Sequence, residues 1–400
     1  MKETFIYDAI RTPRGKAKAE GGLADLSPFF LLKSLYDAIE ERTGLNRGWV
    51  QDVILGCVSQ VGEQGGNVAK ASLLVADWPD HVPAITINRY CSSGLDAINI
   101  AAMKIMTGQA TCALAGGVEM MSRVPMLSDE AILFADAEQG LRHRMLMMGS
   151  GADLIASLYG ISRQQVDKLA LGSQQRAIYA RDRGFFPSII PVHNAIKGIT
   201  LSADECIREH TSLESLSRLA PAFANIGGQG ADDLQREAQP HLAQISHVHT
   251  AGNSPAMADA ASLLLIGDGS LALRLGCRPR AKIIAAATVC DDPLQVVSGC
   301  AKATSALLSS QNLNTSDVDL FELHEAFAAT SIKCQQDLDI SSDILNVNGG
   351  CIALGHPMGA TGGIMMGTLL DELERRALST GIVAASGAAG TGTALLIKCL

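Results

Sequence analysis

Aromatic side chains are scarce in this 400-residue chain, which holds two Trp, five Tyr and nine Phe. Its core must therefore be aliphatic and rich in small residues, with 39 glycines letting elements approach closely. A basic excess is also missing. The formal charge of −9 excludes a nucleic-acid footprint, which needs a basic surface, so an anionic ligand would have to be met by local cations and helix N-termini. No stretch is apolar for long enough to cross a bilayer, and "MKETFIYDAIRTPRG" has the features of neither a signal nor a transit peptide. A soluble, cytoplasmic protein is the expectation. No two of the ten cysteines form a CxxC pair, and so long and apolar a chain needs no stapling. They read as reduced thiols, most of them small buried hydrophobes.

What is present is alternation. Strand-like runs ("ETFIYDAI", "DVILGCVSQ", "AITIN", "TCALAGGVE", "SLLLIGD", "AKIIAAATV", "DLFELH", "GIVAASGAAGTGTALLIKCL") interleave with helix-period segments at 28–42, 68–77, 93–107, 162–184, 294–309, 325–339 and 359–378. That order predicts an α/β protein with mostly parallel sheet. The stretch 120–249 is more polar, carries Met-rich "MLMMGSG" and Gly-rich "NIGGQGADD", and reads as an inserted loop domain, since long excursions from an α/β core are usually lids or binding loops. Residues 1–119 with 250–270 then form one half, and 271–400 a second. Each half has a small-residue helix after a Gly-rich turn (91–107 and 359–378) and a strand ending in small residues, a pattern of internal duplication.

Four positions carry candidate chemistry: Cys91 in "NRYCSSG", His324 in "ELHEAFAA", His356 in "GGCIALGHPMGATGG" and Ser386 in "ASGAAGTGTA". Each has a plainer reading: a buried thiol, a helix cap, a turn residue before Pro357 and a small packing residue. Taken together they are stronger. Cys91, His324 and His356 all sit at strand-to-helix turns, where open α/β sheets build their sites. A thiol at a helix N-terminus, with Ser92 and Ser93 as caps, is expected to have its pKa lowered by the dipole. A neighbouring histidine would serve as its base, and backbone N–H groups of a Gly/Ala-rich loop as oxyanion donors.

The blocks "DAIRTPRGK", "NRYCSSGLDAI", "CALAGGVEMMSRVPM", "HTSLESLSRLAPAF", "TAGNSPAMADAASLLLIG", "HEAFAA" and "NVNGGCIALGHPMGATGG" resemble, in this order, those of thiolases over nearly the whole chain. The resemblance implies a five-layered αβαβα duplication with an inserted loop domain, forming homodimers or homotetramers, with a β-oxidation partner subunit as a further candidate. It implies acyl transfer between 3-ketoacyl-CoA and coenzyme A, or the reverse condensation of acetyl-CoA. CoA and acyl-CoA thioesters would be the substrates, with no permanently bound cofactor and no metal. Cys91 would carry the acyl group, His356 would accept its proton, and the backbone of Cys91 and Ala388 would hold the oxyanion.

Three places depart from the family pattern. Where thiolases usually carry a second, proton-shuttling cysteine, alignment on Gly390, Gly392 and Ala394 puts Ser386, whose hydroxyl is far too weak an acid to replace a thiol of pKa about 8.5. Either another group does the work, or the chain is an impaired homologue that binds acyl-CoA without efficient turnover. The family's N-E-A-F block begins here with His324, similar to fatty-acid-oxidation complex thiolases, and an imidazole of pKa about 6.5 is a candidate shuttle. A serine often found in the turn before the second long strand aligns with Pro255, leaving Ser254 as substitute for thioester binding. For the ligand's phosphates, Arg208, Arg218 and Arg163 are candidates; for the acyl chain, Met148 with Met145 and Met147.

Other motifs carry less. "SGAAGTG" has dinucleotide-like glycines but no room for a following helix. "HLAQISHVH" groups three histidines without a partner at ligand spacing, and His247 and His249 are expected to flank a strand; "GGQG" reads as a flexible turn.

Overall fold

The computed structural model describes residues 2–400. Nine long strands are β1 (Thr4–Arg11), β2 (Val53–Gly56), β3 (Ala84–Ile87), β4 (Cys112–Met120), β5 (Ala258–Gly267), β6 (Ala281–Cys290), β7 (Leu320–Leu323), β8 (Thr380–Ser386) and β9 (Thr391–Cys399). They run in the order β7-β8-β9-β6-β1-β5-β4-β2-β3. The main helices are α1 (Pro28–Thr43), α2 (Val68–Val75), α3 (Ser93–Met106), α4 (Met148–Leu158), α5 (Arg163–Asp182), α6 (Gly299–Ser310), α7 (Ala328–Leu338) and α8 (Thr361–Arg376).

Strict alternation along the strands builds the layers. Val53, Leu55, Leu263 and Leu265 face one core with α1 and α2. Ile54, Leu264 and Ile266 face the middle of the molecule, where they meet α3, α8 and, from the other half, Val383, Leu395 and Ile397. Ile382, Ala384 and Leu396 face a third core beneath α6 and α7. Helix, sheet, helix pair, sheet, helix: five layers follow. In the central layer α3 and α8 are almost without a wet face, because each is roofed by a sheet on both sides.

The two halves share one plan. The first is ordered β3-β2-β4-β5-β1; the second is β7-β8-β9-β6, with a parallel bridge from Phe321 to Leu345 standing in the place of β3. A short antiparallel pairing of Thr4–Ile6 with Ala281–Ile283 joins them. The sheet is mixed rather than mostly parallel. Only β2 with β3 and β4, and β7 with β8, are parallel pairs among these strands; the others are antiparallel. The cause is local at β8–β9. Residues 387–390 form a tight turn with Ala389 and Gly390 at φ 55° and 74°, and so short a connection can only join antiparallel neighbours. Likewise α6 begins at Gly299 and not at 294: Asp292 caps a single 3₁₀ turn, and Val296 at φ 51° interrupts the helix.

Between β4 and β5 the chain carries α4, α5, several short helices and a hairpin, Val192–Asn194 with Ile199–Leu201. Buried polar knots tie this stretch down. Asp204 accepts from both Arg11 (2.6 Å) and Arg14 (3.2 Å). Asp153, fully buried, accepts from His247 (2.9 Å) and His249 (2.7 Å). These histidines flank no strand, since β5 starts only at Ala258; they anchor the chain to α4 instead. The "GGQG" stretch joins two short helices, Ala224–Ile226 and Asp232–Ala238, and Gly230 at φ 114° breaks the helical path between them. No helix is long and apolar enough to cross a membrane among the described residues.

Candidate active site

Cys91 stands between β3 and α3. Tyr90 before it has φ 50°, an uncommon conformation for a bulky residue, held by its N–H to Asn88 Oδ1 (2.8 Å). Ser92 and Ser93 do not cap α3 with their side chains. Ser92 Oγ donates across the molecule to Ala385 O (2.9 Å), and Ser93 Oγ accepts from Arg89 N (2.8 Å). The N-terminal parts of α3 and α8 touch through glycine: a Cβ on Gly94 would lie 2.6 Å from Gly359 O. That contact brings segments from opposite halves to one point.

Two cavities of about 260 Å³ each meet at Cys91. One runs beneath Tyr90, Met126, Leu133, Phe134 and Met145, and includes Ala388. The other is lined by Met257, Phe223, Ser254, His324 and His356. Met148 borders both. Cys91, His324, His356, Ser254, Met148 and Ala388 are thus gathered about the junction.

The imidazoles have fixed tautomers. His324 Nδ1 lies 3.2 Å from Ser386 O, which can only accept, so Nδ1 carries the proton. His356 Nδ1 lies 2.8 Å from Thr361 Oγ1, whose own hydrogen goes to Pro357 O (3.0 Å), so His356 Nδ1 also donates. Both Nε2 atoms are left as bare lone pairs, buried and without a protein partner. The two rings are 4.4 Å apart between centroids. Burial pushes the His324 pKa down to about 4 against a weak opposing effect of Ser386 O. Burial also pulls His356 well below the usual imidazole range, with His324 and Arg14 adding to the effect. Both rings are therefore neutral bases at pH 7, not the near-neutral shuttle expected for His324.

Cys91 shows the strongest departure from expectation. Its pKa is raised to about 12, first by burial and then by the Glu119 carboxylate; its own backbone N–H offsets little of this. Part of the Cys91 surface is open where the two cavities meet, but desolvation of its sulfur still outweighs the helix dipole, whose effect is confined to the first turn. The resting group is a thiol. Among the described residues, neither the Cys91 nor the Ala388 N–H donates to another residue's oxygen, which leaves both for a ligand.

Ser386 lies on the far side of His324. Its hydroxyl accepts from Cys300 N at the start of α6 (2.9 Å), and it borders a second, small pocket with Cys300, Thr330 and His324 itself. Its carbonyl orients the His324 ring. Ser254 Oγ is buried without a partner on the cavity wall. The cations are not at the junction. Arg208 donates to Ala251 O and Gly252 O (3.1 and 2.9 Å) and so holds the turn before Ser254. Arg218 is exposed and paired with Glu214. Arg163 is taken up by Asp167 and the carbonyls of Leu216 and Leu219.

Two residues were passed over in the sequence. Glu119 accepts from the N–H groups of Val58, Ser59 and Gly359 (2.9, 3.0 and 2.8 Å), pinning the turn before α8 to the first half. Cys351 is buried next to both imidazoles. It stood in view within "GGCIALGHP", five positions before His356, but its nearness to His324 is a long-range contact with no local signal.

Comparison with known proteins agrees with the geometry. A family model described as "Thiolase, N-terminal domain" matches residues 4–236, and "Thiolase, C-terminal domain" matches 277–399. The chain is 37% identical to a 3-ketoacyl-CoA thiolase of Klebsiella pneumoniae and 38% identical to one of Serratia proteamaculans, each covering both chains in full. The crystal structure of the Bacillus anthracis acetyl-CoA acetyltransferase superposes with a TM-score of 0.86 at 31% identity, covering 100% of this chain and 99% of that one.

Proposed function

The chain belongs to the thiolase family, and from that premise we propose that it cleaves 3-ketoacyl-CoA with coenzyme A through a thioester on Cys91, or runs the same steps in reverse to condense acetyl-CoA. The observation that carries this reading is a neutral thiol sharing one apolar cavity with two bare imidazole lone pairs.

The protons balance within that set. Substrate displaces water from the cavity, and Cys91 gives its proton to His356 Nε2. The thiolate attacks the ketone carbon, and the oxyanion is met by the Cys91 and Ala388 N–H groups and by the newly formed His356 Nε2–H. Collapse breaks the bond between C2 and C3; the acetyl-CoA enolate leaves and takes a proton at its α-carbon from the imidazolium pair. In the second half, the thiol of incoming CoA gives its proton to His324 Nε2. CoA thiolate attacks the thioester, and Cys91 departs and regains a proton. His324 so takes the part that a second thiol plays elsewhere in the family, and Ser386 acts only through the carbonyl that orients it. CoA enters and leaves as a co-substrate. Arg218 is the solvent-reachable cation for its phosphates, and Met148 with Met145 shapes the acyl cavity. The open edge of β3, with Ile85 half-exposed, favours a homodimer paired along that strand.

A second reading, a homologue that acylates but turns over poorly, is favoured by the Ser386 hydroxyl facing α6. One experiment separates them. After incubation with a series of 3-ketoacyl-CoA chain lengths, intact-mass spectrometry should show one acyl adduct, absent in Cys91→Ala, and added CoA should discharge it. Acylation without discharge favours the second reading; no adduct at any chain length sinks both.

A further inference from the structure

The imidazole pair has a neighbour that acyl transfer does not use. A ring nitrogen of His324, a ring nitrogen of His356 and the Cys351 sulfur all lie within 4.8 Å of one another. The three residues are 4%, 9% and 2% exposed. Each ring donates its Nδ1–H away from the cluster, to Ser386 O and to Thr361 Oγ1. That is the outer hydrogen bonding that metal-binding histidines require, because it fixes the tautomer and aims the other lone pair. The unpartnered Nε2 atoms are those lone pairs. Cys351 supplies the soft donor that, beside two imidazoles, selects a zinc-like ion.

We propose that His324, Cys351 and His356 form a zinc site, and that zinc bound there arrests the enzyme reversibly. Zinc–nitrogen and zinc–sulfur bonds of ~2.0–2.3 Å place tetrahedral ligand atoms ~3.3–3.7 Å apart, so the three donor atoms, now within 4.8 Å of one another, need to close by about 1.5 Å at most. His324 and His356 also line the cavity that holds Cys91, so water or the Cys91 sulfur is at hand for the fourth position. Binding exchanges the Cys351 thiol proton, released to solvent, for the metal–sulfur bond; nothing is oxidised or reduced. The one cation lying near, Arg14, is itself paired with Asp204. With both Nε2 lone pairs on the metal, Cys91 has no base. The site itself stands on the three donors; only the arrest rests on the acyl-transfer reading.

The test uses the full chain, stripped of metal by chelation. Titration against a chromophoric zinc chelator should show one zinc per chain, and cobalt substitution should give a thiolate-to-metal absorption band. Cys351→Ala should weaken zinc binding about tenfold or more. It should also lose the cobalt–thiolate band and keep its metal-free thiolysis rate, while a zinc concentration that halves the parent's rate leaves it unaffected. Cys91→Ala, inactive in any case, should keep the band, which identifies the sulfur as that of Cys351. No zinc uptake by the parent chain, or unchanged affinity and band in Cys351→Ala, overturns the site. Zinc uptake without loss of thiolysis overturns the arrest.

Discussion

The two halves of the molecule can be compared residue by residue where their strands end. In the first, Gly56 at the end of β2 pairs with Gly117 of β4; in the second, Leu323 at the end of β7 pairs with Ala384 of β8. One step on along the first strand of each pair stand Cys57 and His324, and two steps on along the second stand Glu119 and Ser386. The same topological positions have opposite uses. In the first half Glu119 gathers three backbone N–H groups and the amide of Gln64, and the Cys57 sulfur lies 3.9 Å from it: a closed, satisfied knot. In the second half His324 is held by one bond to the Ser386 carbonyl, and its other nitrogen is left open. Duplication supplies two copies of a sheet end, and here one copy is locked while the other keeps a bare lone pair on the cavity wall. Cys91, the proposed nucleophile, comes from the locked half, before the helix that crosses the start of α8.

The sharpest way to break this comparison is to remove each member of the equivalent pair. His324→Asn should lower kcat/KM by about 10²–10⁴-fold, the usual cost of a positioned acid–base group. Cys57→Ala, with the thiol already raised out of use by burial and Glu119, should leave the rate of the folded protein within about threefold. Steady-state thiolysis assays on both variants decide it. Comparable losses would show that the first-half position is also chemical, and the distinction between halves would fall.

The pH dependence sharpens the same point with a smaller effect. A free imidazole of pKa about 6.5 beside a free thiol of about 8.5 would give a bell over neutral pH. In the folded chain His324 titrates near about 4 and Cys91 near about 12. The neutral base is therefore present above about 4 and lost only as pH falls through that value, and the thiol stays protonated until far above neutrality. A kcat/KM profile flat from pH 6 to 9 is expected, about thirtyfold higher at pH 5 relative to the plateau than a base of pKa 6.5 would allow. Stability moves the other way in acid. Between about 6.5 and about 4 the unfolded chain binds a proton at this ring that the folded chain refuses, so stability declines as pH drops through that window. An acid limb near 6.5 in kcat/KM would mean that His324 is solvated in the working enzyme.

How much of this was legible in the chain follows from the range of each interaction. Helix positions, strand alternation and the junctions bearing Cys91, His324 and His356 are local, and periodicity with turn residues carried them. The charge state of Cys91 was not. A helix N-terminus argues for a thiolate, but the opposing desolvation arises only when β4, β5 and the second half close over α3, and no local pattern reports it. Arg208 read as a phosphate ligand because its partners, Ala251 O and Gly252 O, are more than forty positions away. His247 and His249 read as strand flanks because Asp153, which binds both, lies more than ninety positions earlier. The mixed sheet was hidden in a run taken as one strand, since Ala389 rather than a glycine opens the positive-φ pair of the turn.

The smallest expected effect concerns Ser386, the position where sequence and geometry pull hardest against each other. By alignment it occupies a catalytic place; in the fold its hydroxyl accepts the N–H of Cys300, one of the donors left open at the start of α6. Ser386→Ala removes that acceptor and leaves a buried donor unpaired, which should cost about 1–2 kcal/mol in denaturant unfolding. The carbonyl that orients His324 belongs to the backbone and survives the change. Thiolysis by the folded variant should therefore stay within a few fold of the parent, and its acid limb should not move. A loss of two orders of magnitude or more with stability intact would instead return Ser386 to the proton path. His324 would then be a bystander, and the contrast between the two sheet ends would rest on the wrong residue.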